Sequence, residues 1–120
     1  MFKLIKFFKA FIYAFKGIIS GFKERNMKFH GLAAILVILA GWRLDISDLE
    51  WFIVLVLMGL VWSAELVNTS IEELCDLVRD ELNLDYKATQ RARDTAAGAV
   101  LVLAIVATLI GLTIFVPKII

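Results

Sequence analysis

The chain contains one cysteine, Cys75, one proline, Pro117, and one histidine, His30, among its 120 residues. One cysteine excludes an intrachain disulfide, and no Cys/His zinc pattern can be assembled around it. Linkers, low-complexity tracts and internal repeats are absent too, and the length suits one domain. Net charge is only +1, which gives no support to nucleic-acid binding. What the chain does have is apolar: 61% of its residues are hydrophobic and its mean hydropathy is +0.84. A soluble domain of this size would not need so much apolar surface. The excess is gathered in blocks, as membrane spans are.

Residues 2 to 23 have the apolar content of a signal peptide without its continuous core, because Lys3, Lys6, Lys9, Lys16 and Lys23 interrupt them throughout. At about 100° per residue these lysines occupy roughly half of a helical wheel, and Phe8, Phe11, Ile12, Phe15, Ile18, Ile19 and Phe22 dominate the rest. This predicts an amphipathic helix lying at the membrane interface, aromatics in the acyl boundary and lysines among anionic headgroups. Residues 1–28 therefore read as interfacial helix and linker. Three spans follow, at 29–44, 51–78 and 95–117, with a polar loop at 79–94. The first span is short for a hydrocarbon core of about 30 Å, so its flanks must help it across.

Basic residues orient this arrangement. Seven lie before the first span and four in the 79–94 loop (Arg79, Lys87, Arg91 and Arg93), against Arg43 alone in the first loop and Lys118 at the far end. The positive-inside rule places the N-terminus and the second loop in the cytoplasm. Along the third span Ala97, Ala104 and Gly111 recur every seven residues, a pattern that suits close helix approach and an oligomer.

Chemistry is concentrated near the end of the second span. Glu65, Asn68, Glu72 and Asp76 are spaced i, i+3, i+7 and i+11, and cover about 80° of the wheel as one narrow stripe. A carboxylate at a membrane boundary is costly unless it faces protein interior or water, which makes Glu65 and Glu72 functional candidates. Leu66, Val67, Ile71 and Leu74 show that the helix is still burying apolar surface there. Aligned carboxylates can hold Mg²⁺ together with substrate phosphates, and Lys6, Lys9, Lys16, Arg91 and Arg93 are cations able to meet a phosphate. Neither a Walker loop nor a kinase Gly-rich loop is present. The residues alone leave three readings open: a lipid-modifying enzyme, a cation-binding transport or channel subunit, and a non-catalytic oligomeric membrane protein.

Three segments decide among these. Glu24-Arg25-Asn26-Met27-Lys28-Phe29-His30, then Ala64-Glu65-Leu66-Val67-Asn68-Thr69-Ser70-Ile71-Glu72 with Asp76, then Ala92-Arg93-Asp94-Thr95-Ala96-Ala97-Gly98-Ala99-Val100 closely resemble the prokaryotic diacylglycerol kinase/undecaprenol kinase family. The resemblance covers essentially the whole chain. It implies an all-α membrane protein, an N-terminal amphipathic surface helix followed by three transmembrane helices, assembled as a homotrimeric bundle in the bacterial inner membrane. It also implies transfer of the ATP γ-phosphate to a lipid hydroxyl, with Mg²⁺, at cytoplasmic sites shared between subunits. By position Glu65 is implied as the catalytic base facing the lipid, and Glu24 and Glu72 as metal ligands at the ATP. Asn68, Arg93 and Asp94 match positions near the nucleotide, Lys6 and Tyr13 match nucleotide contacts on the surface helix, and Asp76 stands as a supporting residue behind them.

Arg93 departs from the lysine usual in the family. It remains a phosphate ligand, but it is not geometrically equivalent and stays charged. The stretch from Arg79 to Gln90 is longer than in the proteobacterial enzymes, so no loop contact is carried over. His30 follows the pattern of Gram-positive-type members and reads as a boundary or packing residue. The Glu24–His30 segment and the Phe115-Val116-Pro117-Lys118 ending look more like undecaprenol kinases, which favours a polyprenol acceptor over diacylglycerol.

Overall fold

The computed structural model describes residues 1–120, and its regular elements are all helices. They are α1 (Phe2–Gly21), α2 (Arg25–Arg43), α3 (Asp48–Leu82) and α4 (Gln90–Ile119), with a short 3-10 turn, Tyr86–Thr89, leading into α4. Every residue of α1 before Gly21 is exposed, as its amphipathic pattern requires when no protein lies beneath it. The helix is pinned only at its C-terminal end. Gly21 is buried there against the tip of the Leu66 side chain of α3, which would have to shift to admit a Cβ, and Phe22 meets Trp62 edge-on with ring centres 5.2 Å apart.

The α2–α3 turn is specified by local chemistry. Asp45 adopts a left-handed φ of 53°, which reverses the chain in few residues. Ser47 then caps α3 reciprocally with Glu50: the Glu50 N–H donates to Ser47 Oγ at 3.2 Å, and the Ser47 N–H donates to Glu50 Oε1 at 2.9 Å. Gly41 lets the two helices close on each other. A Cβ there would stand 2.8 Å from the Trp51 ring and 3.0 Å from Ile46.

Helices α3 and α4 run antiparallel and form the main packed pair. Lys118 Nζ lies 3.2 Å from Glu50 Oε1, joining the last turn of α4 to the first of α3. Beside that link sits the small apolar core of Ile46, Val54 and Ile114, flanked by Val37, Trp51 and Phe115. Thr95, Thr108 and Thr113 donate their hydroxyls to carbonyls four residues back, which satisfies them inside an apolar helix.

Little else is covered. Only 11 of 120 residues are buried, although most of the chain is hydrophobic, and Leu55, Val56, Leu101, Val102 and Leu109 are more than half exposed. The radius of gyration is 18.0 Å, against about 14 Å for a compact domain of this length. The molecule measures 55 × 45 × 19 Å. Two helical stretches, Asp48–Leu82 and Tyr86–Ile119, are long and apolar enough to cross a membrane. An array only 19 Å thick with apolar faces turned outward needs an apolar surrounding.

Helix limits and polarity limits do not coincide. α2 begins at Arg25, four residues before the expected span at 29–44, and α3 runs on to Leu82, past the start of the expected 79–94 loop. Only residues 83–85 and the 3-10 turn separate α3 from α4. Charged residues make good helix when solvated, so polarity marks where an apolar layer ends and not where hydrogen bonding stops. Tyr86 organises this connection. Its ring lies 3.5 Å from the Arg93 guanidinium and 4.8 Å from that of Arg79. Arg93 also donates to the Tyr86 carbonyl at 2.8 Å and to Thr89 Oγ1 at 3.3 Å. Burial pushes the Tyr86 phenol above its ordinary value, with Arg93 pulling the other way and Asp76 reinforcing the rise.

Two outcomes are expected. Gly41→Ile should lower stability by about 1–3 kcal/mol through overpacking against Trp51, read as the midpoint of denaturation in mixed micelles. Tyr86→Ala should loosen Arg93 by removing the ring it stacks on, giving several-fold faster trypsin cleavage at Arg93 with the rest of the digest unchanged.

Candidate functional site

The buried residues of α3 lie at Val54, Val61, Asn68 and Cys75, every seven residues, with Glu65 between. One face of the helix therefore changes from apolar to polar along its length. At 1.5 Å per residue Glu65 stands about 26 Å from Asp48, close to the thickness of a hydrocarbon core of about 30 Å. Glu65 is 3% exposed and Asn68 4%. The Asn68 amide donates through Nδ2 to Glu72 Oε1 at 3.0 Å. A carboxylate can only accept, so this bond fixes the amide's orientation and turns Oδ1 the other way. That oxygen is buried and has no donor.

Glu65, Asn68 and Glu72 line a cavity of about 250 Å³, together with Asn26 and His30 from α2 and Ala97 and Val100 from α4. His30 Nε2 lies 3.7 Å from Glu65 Oε2, with both side chains largely buried. The expectation that His30 is a boundary or packing residue is thus incomplete, since its polar edge faces the buried carboxylate. Asn26 had not been singled out at all. The signal available was spacing: Asn26 and His30 stand i, i+4 and share a face of α2.

The other candidates lie outside this cavity. Glu24 is the exposed N-cap residue of α2, two positions before Asn26. Lys6 and Tyr13 are exposed on α1, on one face at i, i+7, with Lys16 over the Tyr13 ring at 5.8 Å. Arg93 is held against Tyr86, one helical turn before Ala97, and Asp94 is exposed beside it. Asp76 is half-buried with Arg79 at 3.8 Å. One chain therefore gathers the α3 stripe and part of α2, and leaves the remaining cations and carboxylates apart.

The stripe also suits a hard cation. Glu72 is a carboxylate of the kind Mg²⁺ takes, while the buried Asn68 Oδ1 faces away from it. No three Asp, Glu, His or Cys side chains converge within the chain. A cation held here would complete its shell with phosphate oxygens and water, as Mg²⁺ commonly does. Below the polar cavity lies an apolar groove of about 370 Å³ between α2, α3 and α4, lined by Ala34, Val37, Val61, Ala104 and Gly111 among others. Phe29 and His30 line both spaces, so the two meet at the depth of Glu65.

The chain is similar to known proteins along most of its length. The chain is 42% identical to an undecaprenol kinase of Bacillus subtilis (strain 168) over 117 residues, 97% of this chain and 93% of that one. It is 31% identical to a diacylglycerol kinase of Synechocystis over 109 residues, 90% of this chain and 61% of that longer protein. No solved structure matches it. The sequence model described as prokaryotic diacylglycerol kinase matches residues 12–115, which takes in the α2 segment, the whole α3 stripe and Arg93-Asp94. The chain accordingly belongs to the prokaryotic diacylglycerol kinase family of membrane lipid kinases.

Proposed function

We propose that this lipid kinase transfers the γ-phosphate of ATP to the hydroxyl of undecaprenol, with Glu65 as the base. The observation that carries the reading is the buried Glu65 carboxylate at the meeting point of a polar cavity and an apolar groove. A lipid alcohol with its chain in the groove would present its hydroxyl at that depth. Glu65 then takes the hydroxyl proton as the lipid oxygen bonds to the γ-phosphorus, and the bond to ADP breaks. Asn68 orients Glu72 through its Nδ2 bond, and its free Oδ1 is left to accept from a hydroxyl or water, or to meet a cation. Phosphate oxygens have no proton to give it.

Mg²⁺, held by Glu72 and Glu24, would neutralise charge on the β- and γ-phosphates when bound. Arg93, Asp94, Lys6 and Tyr13 serve the nucleotide, and Asp76 supports the stripe by engaging Arg79. These residues do not meet in a single chain, which supports a homotrimer whose sites are completed across subunits. In this reading α2, α3 and α4 each cross the membrane, and the basic residues of the N-terminal segment and of the α3–α4 connection support a cytoplasmic side for both, where ATP is, with α1 on the inner-membrane surface. The short α2 crosses with help from its flanking Arg25, Lys28 and Arg43.

The likeness to the Bacillus undecaprenol kinase, over nearly the full length of both chains, favours the polyprenol. The Synechocystis match keeps diacylglycerol as the competing acceptor. Purified protein given labelled ATP, Mg²⁺ and both lipids in one micelle should label undecaprenol in preference. Labelling of diacylglycerol alone would reverse the assignment, and labelling of neither would remove the kinase reading for these acceptors. Glu65→Gln should lower kcat by at least about 100-fold with the assembly intact. Glu72→Gln should chiefly raise the KM for Mg-ATP. Full activity in Glu65→Gln would discard it as the base.

A further inference from the structure

Glu65 needs more than burial to act on a hydroxyl: one of its oxygens must be aimed. The side chain paired with it is His30, whose Nε2 stands 3.7 Å from Oε2. The two side chains are 15% and 4% exposed, and both line the polar cavity. We infer that His30 is a positioning residue for Glu65, its Nε2–H drawing Oε2 to one side so that the other oxygen faces the acceptor hydroxyl. This rests on the reading of Glu65 as the base.

The distance is longer than a formed hydrogen bond. Bonds within catalytic groups are commonly long before substrate binds and tighten in the reacting complex. The chemistry of imidazole suits the place. A lysine would swing its charge toward the aqueous boundary, and a permanent cation would stabilise the carboxylate and make it a poorer base. An imidazole Nε2–H donates one bond to one carboxylate oxygen and leaves the other oxygen free. The ring is short and stiff, and it packs edge-on against Phe29 with ring centres 5.7 Å apart. The neighbouring polar groups of the cavity, Asn26, Asn68 and Glu72, are not paired with Glu65, and Glu72 is already engaged by Asn68.

The test uses full-length untagged protein in micelles, with ATP, Mg²⁺ and undecaprenol. His30→Leu should lower kcat roughly ten- to hundredfold, the scale expected when a reacting group loses its orientation, with the KM for ATP unchanged. His30→Gln, whose amide Nε2–H can reach the same oxygen, should recover most of that loss. A packing role predicts the opposite order, because leucine fills the space without a polar group. Wild-type kcat in His30→Leu, or a fall in His30→Gln as deep as in His30→Leu, overturns the inference. Since His30 is the only histidine, ¹⁵N-histidine labelling gives a single imidazole and a readout independent of activity. Glu65→Gln should then move the Nε2 resonance more than the Nδ1 resonance, and an unmoved Nε2 also overturns it. Full activity in Glu65→Gln would instead strike the base assignment, whatever the His30 variants do.

Discussion

A carboxylate at the edge of a hydrocarbon layer is tolerated only where polar groups or water receive it, and the packing of this molecule is organised round that requirement at Glu65. The face of α3 that buries Val54 and Val61 also buries Glu65 and Asn68, so the helix cannot turn its polar residues away without exposing its apolar contact. α2 answers with Asn26 and His30, and α4 with the small side chain of Ala97, which leaves room for a cavity. Gly21 brings the end of α1 against Leu66, the residue next to Glu65. Each element touches the same short stretch of α3.

This stretch was legible in the sequence because its signal is geometric. Spacing alone put Glu65, Asn68 and Glu72 on one face, and the structure gathers those three at one cavity. The lysine pattern of α1 likewise foretold an amphipathic helix at a membrane interface, and a helix does form there, exposed as far as Gly21. The helix limits were less legible. Residues 79–82 and 90–94 are polar, and polarity was read as loop, whereas solvated charges extend a helix readily. His30 was underread for a different reason. A lone histidine among apolar residues carries no partner in its own sequence neighbourhood, and Glu65 is brought to it only by the packing of α2 on α3. The Tyr86 stack on Arg93 was hidden in the same way, since it depends on the tight connection between helices.

The candidates left outside the cavity share a property. Lys6, Tyr13, Glu24 and Asp94 are all exposed, and of these only Tyr13 has a close partner, Lys16 over its ring. Arg93 is the exception: its guanidinium is stacked and hydrogen-bonded, and so sits in a defined place one turn above the cavity wall. Surface burial tells the same story on a larger scale. With 11 residues buried, the fold owes less to an interior than to the apolar medium and to whatever covers its outward faces.

One feature of α3 bears on the membrane as much as on the site. The helix runs unbroken from the Ser47 cap to Leu82, and its start is fastened to the end of α4 through Glu50 and Lys118. It behaves as a ruler, zeroed at the fastened end, on which Glu65 marks a fixed height. A membrane a few ångströms thicker or thinner would shift the headgroup plane relative to that mark, at a modest energetic penalty per ångström. The unbroken helix thus fixes the spacing between the Glu50–Lys118 link and Glu65, a distance that any bilayer it crosses would have to match.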